Sequence, residues 1–207
     1  NRLGAMPILT QGGLGSLNLT SEGFIEVEAG STNLNITAHN IYIGAQNYID
    51  VYGDTATANI SARNNLTIET PNLWVGGGYN GGKARVHATN DVNLYAYGIA
   101  VDGGEGVGSE GRIEAGQDLK VRANEFAVVG GDGTDTQAIV KAGRDIDFSL
   151  DYKLYVIGGY YGSGNTARVE AGRDLSVHGP EEEAPLGNEQ PQVTIGSPYT
   201  QYLEVYG

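Results

Sequence analysis

One stretch of this chain is written over and over. Ala115-Gly116-Gln117-Asp118-Leu119-Lys120-Val121 returns as Ala142-Gly143-Arg144-Asp145-Ile146-Asp147-Phe148 and again as Ala171-Gly172-Arg173-Asp174-Leu175-Ser176-Val177. Looser copies occupy 62–68 and 88–94, and a copy longer by one residue occupies 29–36. Each copy is a turn followed by a short strand with alternating apolar positions. The copies recur about every 27 residues, inside the period that marks solenoids and arrays. A unit this short has no core of its own and buries its apolar face only by stacking on its neighbours.

Smaller features repeat with the same rhythm. The apolar residue ahead of each turn is Val27, Ile60, Val86, Ile113, Val140 and Val169, at intervals of 33, 26, 27, 27 and 29 residues. A further strand follows a second short connection, at Leu73-Trp74-Val75, Ile99-Ala100-Val101, Phe126-Ala127-Val128 and Leu154-Tyr155-Val156. Then comes a loop of drifting length with paired glycines: Gly77-Gly78, Gly103-Gly104, Gly130-Gly131 and Gly158-Gly159. Glycine there supplies the positive φ needed to leave one sheet and enter the next. No segment sustains a 3.6-residue period, and Gly, Asn, Asp and β-branched residues dominate.

These observations predict an all-β chain, a right-handed parallel β-helix (β-solenoid) of about six coils of ~27 residues with three short strands each. The hand follows from the general chirality of parallel crossovers. The expected organisation is lead-in strands over 1–26, repeats over 27–177, an acidic, proline-containing linker over 178–192 and a closing strand segment over 193–207. That ending, Val193-Thr194-Ile195-Gly196 and Tyr202-Leu203-Glu204-Val205-Tyr206-Gly207, resembles Ile41-Tyr42-Ile43-Gly44 and Tyr48-Ile49-Asp50-Val51-Tyr52-Gly53. No capping helix is legible at either end. The closing segment therefore either covers its own coil or is donated to the next molecule, with Tyr48, Ile49, Val51, Tyr52, Tyr202, Leu203, Val205 and Tyr206 at the contact.

Composition narrows the chemistry. The chain has 207 residues, no cysteine and a net charge of −13. Thiol chemistry and zinc–cysteine clusters are excluded, and phosphate backbones are unfavourable partners. No apolar run has the length of a membrane helix. The first residue is Asn1, which fits a removed leader and fits an internal boundary equally well. Asp91, Asp118, Asp145 and Asp174 fall at one corner of successive coils, as a calcium ladder or as turn caps balanced by Arg144 and Arg173. Gly130-Gly131-Asp132-Gly133-Thr134-Asp135 matches the opening of a calcium-binding nonapeptide, through Asp132 and Asp135, but only once. Sequons begin at Asn18, Asn35, Asn59 and Asn65. His39, His87 and His178 lie far apart, without partners at ligand spacing. The nearest approach to a hydrolytic carboxylate set is Asp147 and Asp151 with Lys153. The 13 tyrosines suit lateral contacts or sugar stacking as well as plain stacking along a face.

The unit Ala-Gly-x-Asp-(Leu/Ile)-x-(Val/Phe) at 115–121, 142–148 and 171–177 resembles the repeats of filamentous haemagglutinin-type adhesins. With the looser copies the resemblance spans about 27–177. It implies a secreted, rod-like right-handed β-helix acting in adhesion or surface structure. These coils are longer than that family's and carry Gly-rich loops, and its amino-terminal secretion domain is not recognisable here. The expectation is a non-enzymatic extracellular structural subunit that assembles with itself into a surface filament, sheath or array, without a required cofactor. An adhesin segment binding glycans is the alternative, and a β-helical carbohydrate-active enzyme the third.

Overall fold

The computed structural model describes residues 15–179 in full and, of the flanks, the backbone strands Arg2–Gly4, Leu9–Thr10, Gln192–Gly196 and Tyr202–Tyr206. The described residues contain strands and no helix, and all strand pairs are parallel. They form a β-solenoid of about six turns. A coil such as Thr57–Ala62, Leu66–Glu69, Asn72–Gly77 runs along a first, second and third face in turn, and the next begins at Lys83. The first face is an eight-stranded sheet. The second and third join into one 13-stranded sheet because Leu119–Val129 and Ile146–Ile157 run through the corner between them. Asp151 and Tyr152 there oppose the single Asn124, a bulge that lets one strand turn without breaking its ladder.

Stacking is in register, so like side chains fall into columns. Ile36, Ile60, Val86, Ile113, Val140 and Val169 form the inner column of the first face, at steps of 24, 26, 27, 27 and 29 residues. Alanine columns flank it, for example Ala38, Ala62, Ala88, Ala115, Ala142 and Ala171, where small side chains let adjoining walls converge. Ile68, Leu94, Val121 and Phe148 line the second face, and Ile49, Leu73, Ile99, Phe126 and Leu154 the third. Phe126 and Phe148 meet inside, with ring centroids 4.9 Å apart and both fully buried. Alternation along each strand sends every second residue outward.

The first coil differs from its expected phase. Val27 lies in the third-face column with Val51 and Val75, and the true equivalent of Ile60 is Ile36. Residues 29–36, read as a turn-and-strand copy of the later corner, are instead the end of a third-face strand, the loop 30–33 and the start of the first-face strand Leu34–Ala38. A Gly/Ser/Asn turn before Leu-x-Ile reads alike at either corner. The real first-coil corner, His39-Asn40, is one residue shorter than Arg63-Asn64-Asn65. Coiling also begins upstream of Val27, since Ser16–Ser21 stacks on Asn40–Ala45 and Phe24–Ala29 on Tyr48–Gly53.

Gln192–Gly196 aligns with Lys153–Ile157, and Tyr202–Tyr206 with Thr166–Glu170, on the same molecule. The likeness of 193–196 to 41–44 therefore does not carry register, because Val193 continues the Leu154 column and Ile41 belongs to that of Leu66. Residues 180–191, most of the expected linker, lie outside the described residues. Loops after the third face lengthen along the axis, from 54–56 through 78–82, 103–109 and 130–136 to 158–165. Gly104, Gly131 and Gly159 take positive φ (85°, 87° and 118°), whereas in the 78–82 loop that role falls to Gly81 (80°).

Truncating Phe148 to Ala removes one of two interlocked rings and should lower unfolding free energy by about 3–5 kcal/mol. Chemical denaturation measures it; a loss below about 1 kcal/mol would mean that the ring is not packed as described.

Candidate functional site

Two outward features carry polar chemistry: a ladder at the corner between the first and second faces, and a trough on the third. At the corner, Asn64 Nδ2 donates to Asn40 Oδ1 (2.8 Å) and Gln117 Nε2 to Asn90 Oδ1 (3.3 Å), continuing an amide ladder. One residue further on, Asn65, Asp91 and Asp118 accept the backbone N–H of Asp91, Asp118 and Asp145, each in the next coil (3.3–3.4 Å). Carboxylates stacked at the ~4.8 Å strand spacing repel. Arginine from the coil above resolves this. Arg144 donates from Nε to Asp118 Oδ1 (2.7 Å) and from Nη2 to Oδ2, and Arg173 grips Asp145 through the same two atoms (2.8 Å for Nε). These guanidinium bonds hold the Asp118 and Asp145 carboxyls below the usual range, against some opposing desolvation.

Asp91, Asp118, Asp145 and Asp174 thus share one column, as the repeat implied, but the Asp118 and Asp145 oxygens are already engaged. Asp132 and Asp135 are exposed in the glycine loop, Asp135 at φ 57°. Among the described residues no group of three or more His, Asp or Glu side chains could hold a metal ion. Asn18 is exposed. Asn35 and Asn59 face outward on the first face, joined by an Asn59 Nδ2 to Asn35 Oδ1 bond (3.3 Å), and Asn65 belongs to the corner ladder. Asp147 and Lys153 stand on different faces, so they form no hydrolytic set with Asp151. Ile49 and Val51 are fully buried within the stack, so they offer no contact surface. The side chains of Tyr202, Leu203, Val205 and Tyr206 lie outside the described residues.

The third face holds a feature that the sequence reading passed over. Register places Glu26, Asp50, Trp74, Ala100, Ala127 and Tyr155 in one outward column. Tyr52 stacks on Trp74 (5.4 Å, 22°), and Phe24 on Tyr48 (5.1 Å, 5°). The indole lies across Gly76, where a Cβ would stand 2.4 Å from the ring; any side chain there would lift it off the sheet. Two depressions share Asp50 and Trp74. One, of about 350 Å³, lies among Glu26, Glu28, Asp50, Tyr52, Trp74 and Tyr79. The other, of about 340 Å³, is floored by Ala100 and Ala127 and closed by Tyr155. Trp74 and Tyr155 are three coils apart, about 14 Å at the usual strand spacing. Lys153 Nζ sits 3.8 Å from the centre of the Tyr155 ring, tying that ring down by a cation–π contact.

The trough is acidic and its acidity is tuned. Burial first, and the Glu26 charge second, push the Asp50 carboxyl up to about 6. Tyr48 donates to Glu26 Oε1 (3.2 Å), and burial followed by that bond raises the phenol. Flat aromatic faces beside carboxylate acceptors suit a ligand with an apolar ring face and a rim of hydroxyl donors. Glu26, Asp50, Trp74 and Tyr155 align only once steps of 24–28 residues between non-identical strands are imposed, which is why motif searching missed them. Compared with protein-family models, with curated proteins and with solved structures, the chain shows no match in any of the three.

Asp50 sets a pH dependence with a definite sign. Its folded value lies above the ordinary 3.8, so the unfolded chain loses that proton first and stability falls as pH rises from about 4 through about 6. Asp50→Asn should raise stability at pH 7–8 by about 1 kcal/mol, discounted for its half-exposed setting, or about 2–4 °C, and change nothing at pH 4. Thermal melts across pH test this, and an equal effect at both ends would refute the assignment.

Proposed function

We propose that this chain is a non-enzymatic β-solenoid shaft displayed outside the cell, whose third face binds glycans. The observation that carries the reading is the trough, with Tyr52 stacked on Trp74 at one end, Tyr155 at the other and a floor of Ala100 and Ala127 between. A pyranose chain advances by about one coil rise per residue, so sugars lying along the axis would meet successive coils in register. Asp50, Glu26 and Glu28 supply hydroxyl acceptors along one rim. The repeat's likeness to filamentous haemagglutinin-type adhesins supports the surface setting, and the cysteine-free composition is compatible with it. Outward Asn35 and Asn59 would be glycan acceptors in a host that modifies sequons. No resident metal is part of the reading.

Binding of neutral oligosaccharides by isothermal titration calorimetry tests it. Trp74→Ala should weaken affinity by about two- to tenfold, the scale of one lost aromatic stacking contact of roughly 0.5–1.5 kcal/mol. An unchanged affinity, or none in the unaltered chain, would sink the reading.

Self-assembly is a second reading, favoured by a different observation. Among the described residues, Leu175–His178, Gln192–Gly196 and Tyr202–Tyr206 each pair on one side only. Such open parallel edges are templates for another copy's first coil, giving end-to-end growth. Because the closing strands stack on their own molecule, growth would extend the stack rather than exchange a segment. Sedimentation velocity should then show concentration-dependent elongated species, and a single monomeric boundary up to high concentration would dismiss it.

A further inference from the structure

Most cations among the described residues of this acidic chain are committed. Lys83, Arg85 and Arg112 surround Glu110; Lys141 and Arg168 hold Glu170. Arg144 and Arg173 serve the corner ladder, and Lys153 covers the Tyr155 ring. Lys120 and Arg122 are different. They stand two residues apart on one strand of the second face, both exposed and without an ion pair among the described residues, and Lys120 acts through space on Asp118. Register places Tyr95 one coil before Arg122, Ser149 one coil after it and His178 one further on, an outward column rising ~4.8 Å per step. Together with Asp147 these residues line a groove of about 310 Å³. Asp147 is the acid within the groove, and it is occupied. His178 Nε2 lies 2.7 Å from its Oδ1, which also accepts from Ser176 Oγ at 3.1 Å. Tyr95, 44% exposed, supplies a ring face at the lower end.

We propose that this groove on the second face binds a carboxylate-bearing saccharide, a uronate chain lying along the axis. The Arg122 guanidinium presents a planar fork that fits a carboxylate with two parallel hydrogen bonds, and Lys120 adds a point charge beside it. Ser149 and the Tyr95 ring provide the hydroxyl and stacking contacts that a sugar needs and a bare anion does not. The two cations of this groove, on a chain of net charge −13, are too few to hold a nucleic-acid backbone. The proposal shares with the preceding one the premise that the wall meets saccharides, but it uses another face and other residues.

The test is calorimetry on the full chain with a short oligouronate, a neutral oligosaccharide of the same linkage and length, and inorganic phosphate. The oligouronate should bind, weaken at least about tenfold in both Lys120→Ala and Arg122→Ala, and weaken further with added salt. It should be indifferent to Trp74→Ala. Arg122→Lys, which keeps charge and loses the fork, should recover only part of the loss. Circular dichroism checks that these surface variants fold. Absent uronate binding, binding unaffected by both substitutions, binding lost with Trp74, or phosphate competing as well as the saccharide would each overturn the proposal. The two faces fail separately. Trp74-dependent neutral binding without uronate binding leaves the trough reading alone, and uronate binding through Lys120 and Arg122 without any Trp74 effect leaves only the groove.

Discussion

The whole structure depends on parallel strands that hydrogen-bond to their own equivalents one turn away. In such a ladder each residue meets a counterpart above and below, so whatever the sequence places once it tends to place in a column. For apolar side chains this favours stability, and the Ile/Val and Ala columns fill the interior with little variation. For polar groups it creates a problem that must be solved at every level. Amides solve it by donating to one neighbour and accepting from the other, as from Asn40 to Asn90. Carboxylates cannot, and at Asp118 and Asp145 arginines of the following coils take up the charge. Where that corner passes from Arg63 and Thr89 to glycine the coils close up: a Cβ at Gly143 would stand 2.2 Å from the Gly116 carbonyl oxygen.

The same rule shapes the surface wherever a column is interrupted. On the third face, bulky Trp74 and Tyr155 are separated by Ala100 and Ala127, and a trough results. On the second face, Lys120 and Arg122 interrupt columns of Thr67 and Asn93, and of Glu69 and Tyr95. Neither feature distorts the backbone. Both are changes of side chain on a wall whose geometry the ladder has already set, so binding character can alter without loss of the fold.

The architecture was legible because periodicity survives in local sequence: the corner residues recur at Asp118, Asp145 and Asp174, and the paired glycines follow Asp118 and Asp145 at nearly the same distance, at Gly130 and Gly158. Register was legible only where coils match closely. It slipped in the first coil, where the turn before Leu34-Asn35-Ile36 reads like the repeat although it lies at another corner, and at the end, where Val193 copies Ile41 in character but not in place. The surface sites were scarcely legible at all. His178 meets Asp147 across 31 positions, and Tyr52 meets Trp74 across a coil boundary; neither pair has a local signature. Such contacts depend on the exact length of every intervening loop, which composition does not reveal.

Those loops have a further consequence. Between the third and first faces they grow from 54–56 to 158–165, while the first-face strands they lead into, from Thr57–Ala62 to Thr166–Ala171, all keep six residues. The surplus chain therefore accumulates as a flange that widens along one edge of the shaft, bearing Tyr79, Val107 and Tyr161, each more than 60% exposed. In a column of identical coils the only mark of direction on the outside is the sense in which the strands run. A tapered flange adds a gradient of shape to that direction, so a lateral neighbour meets a different contour at each level.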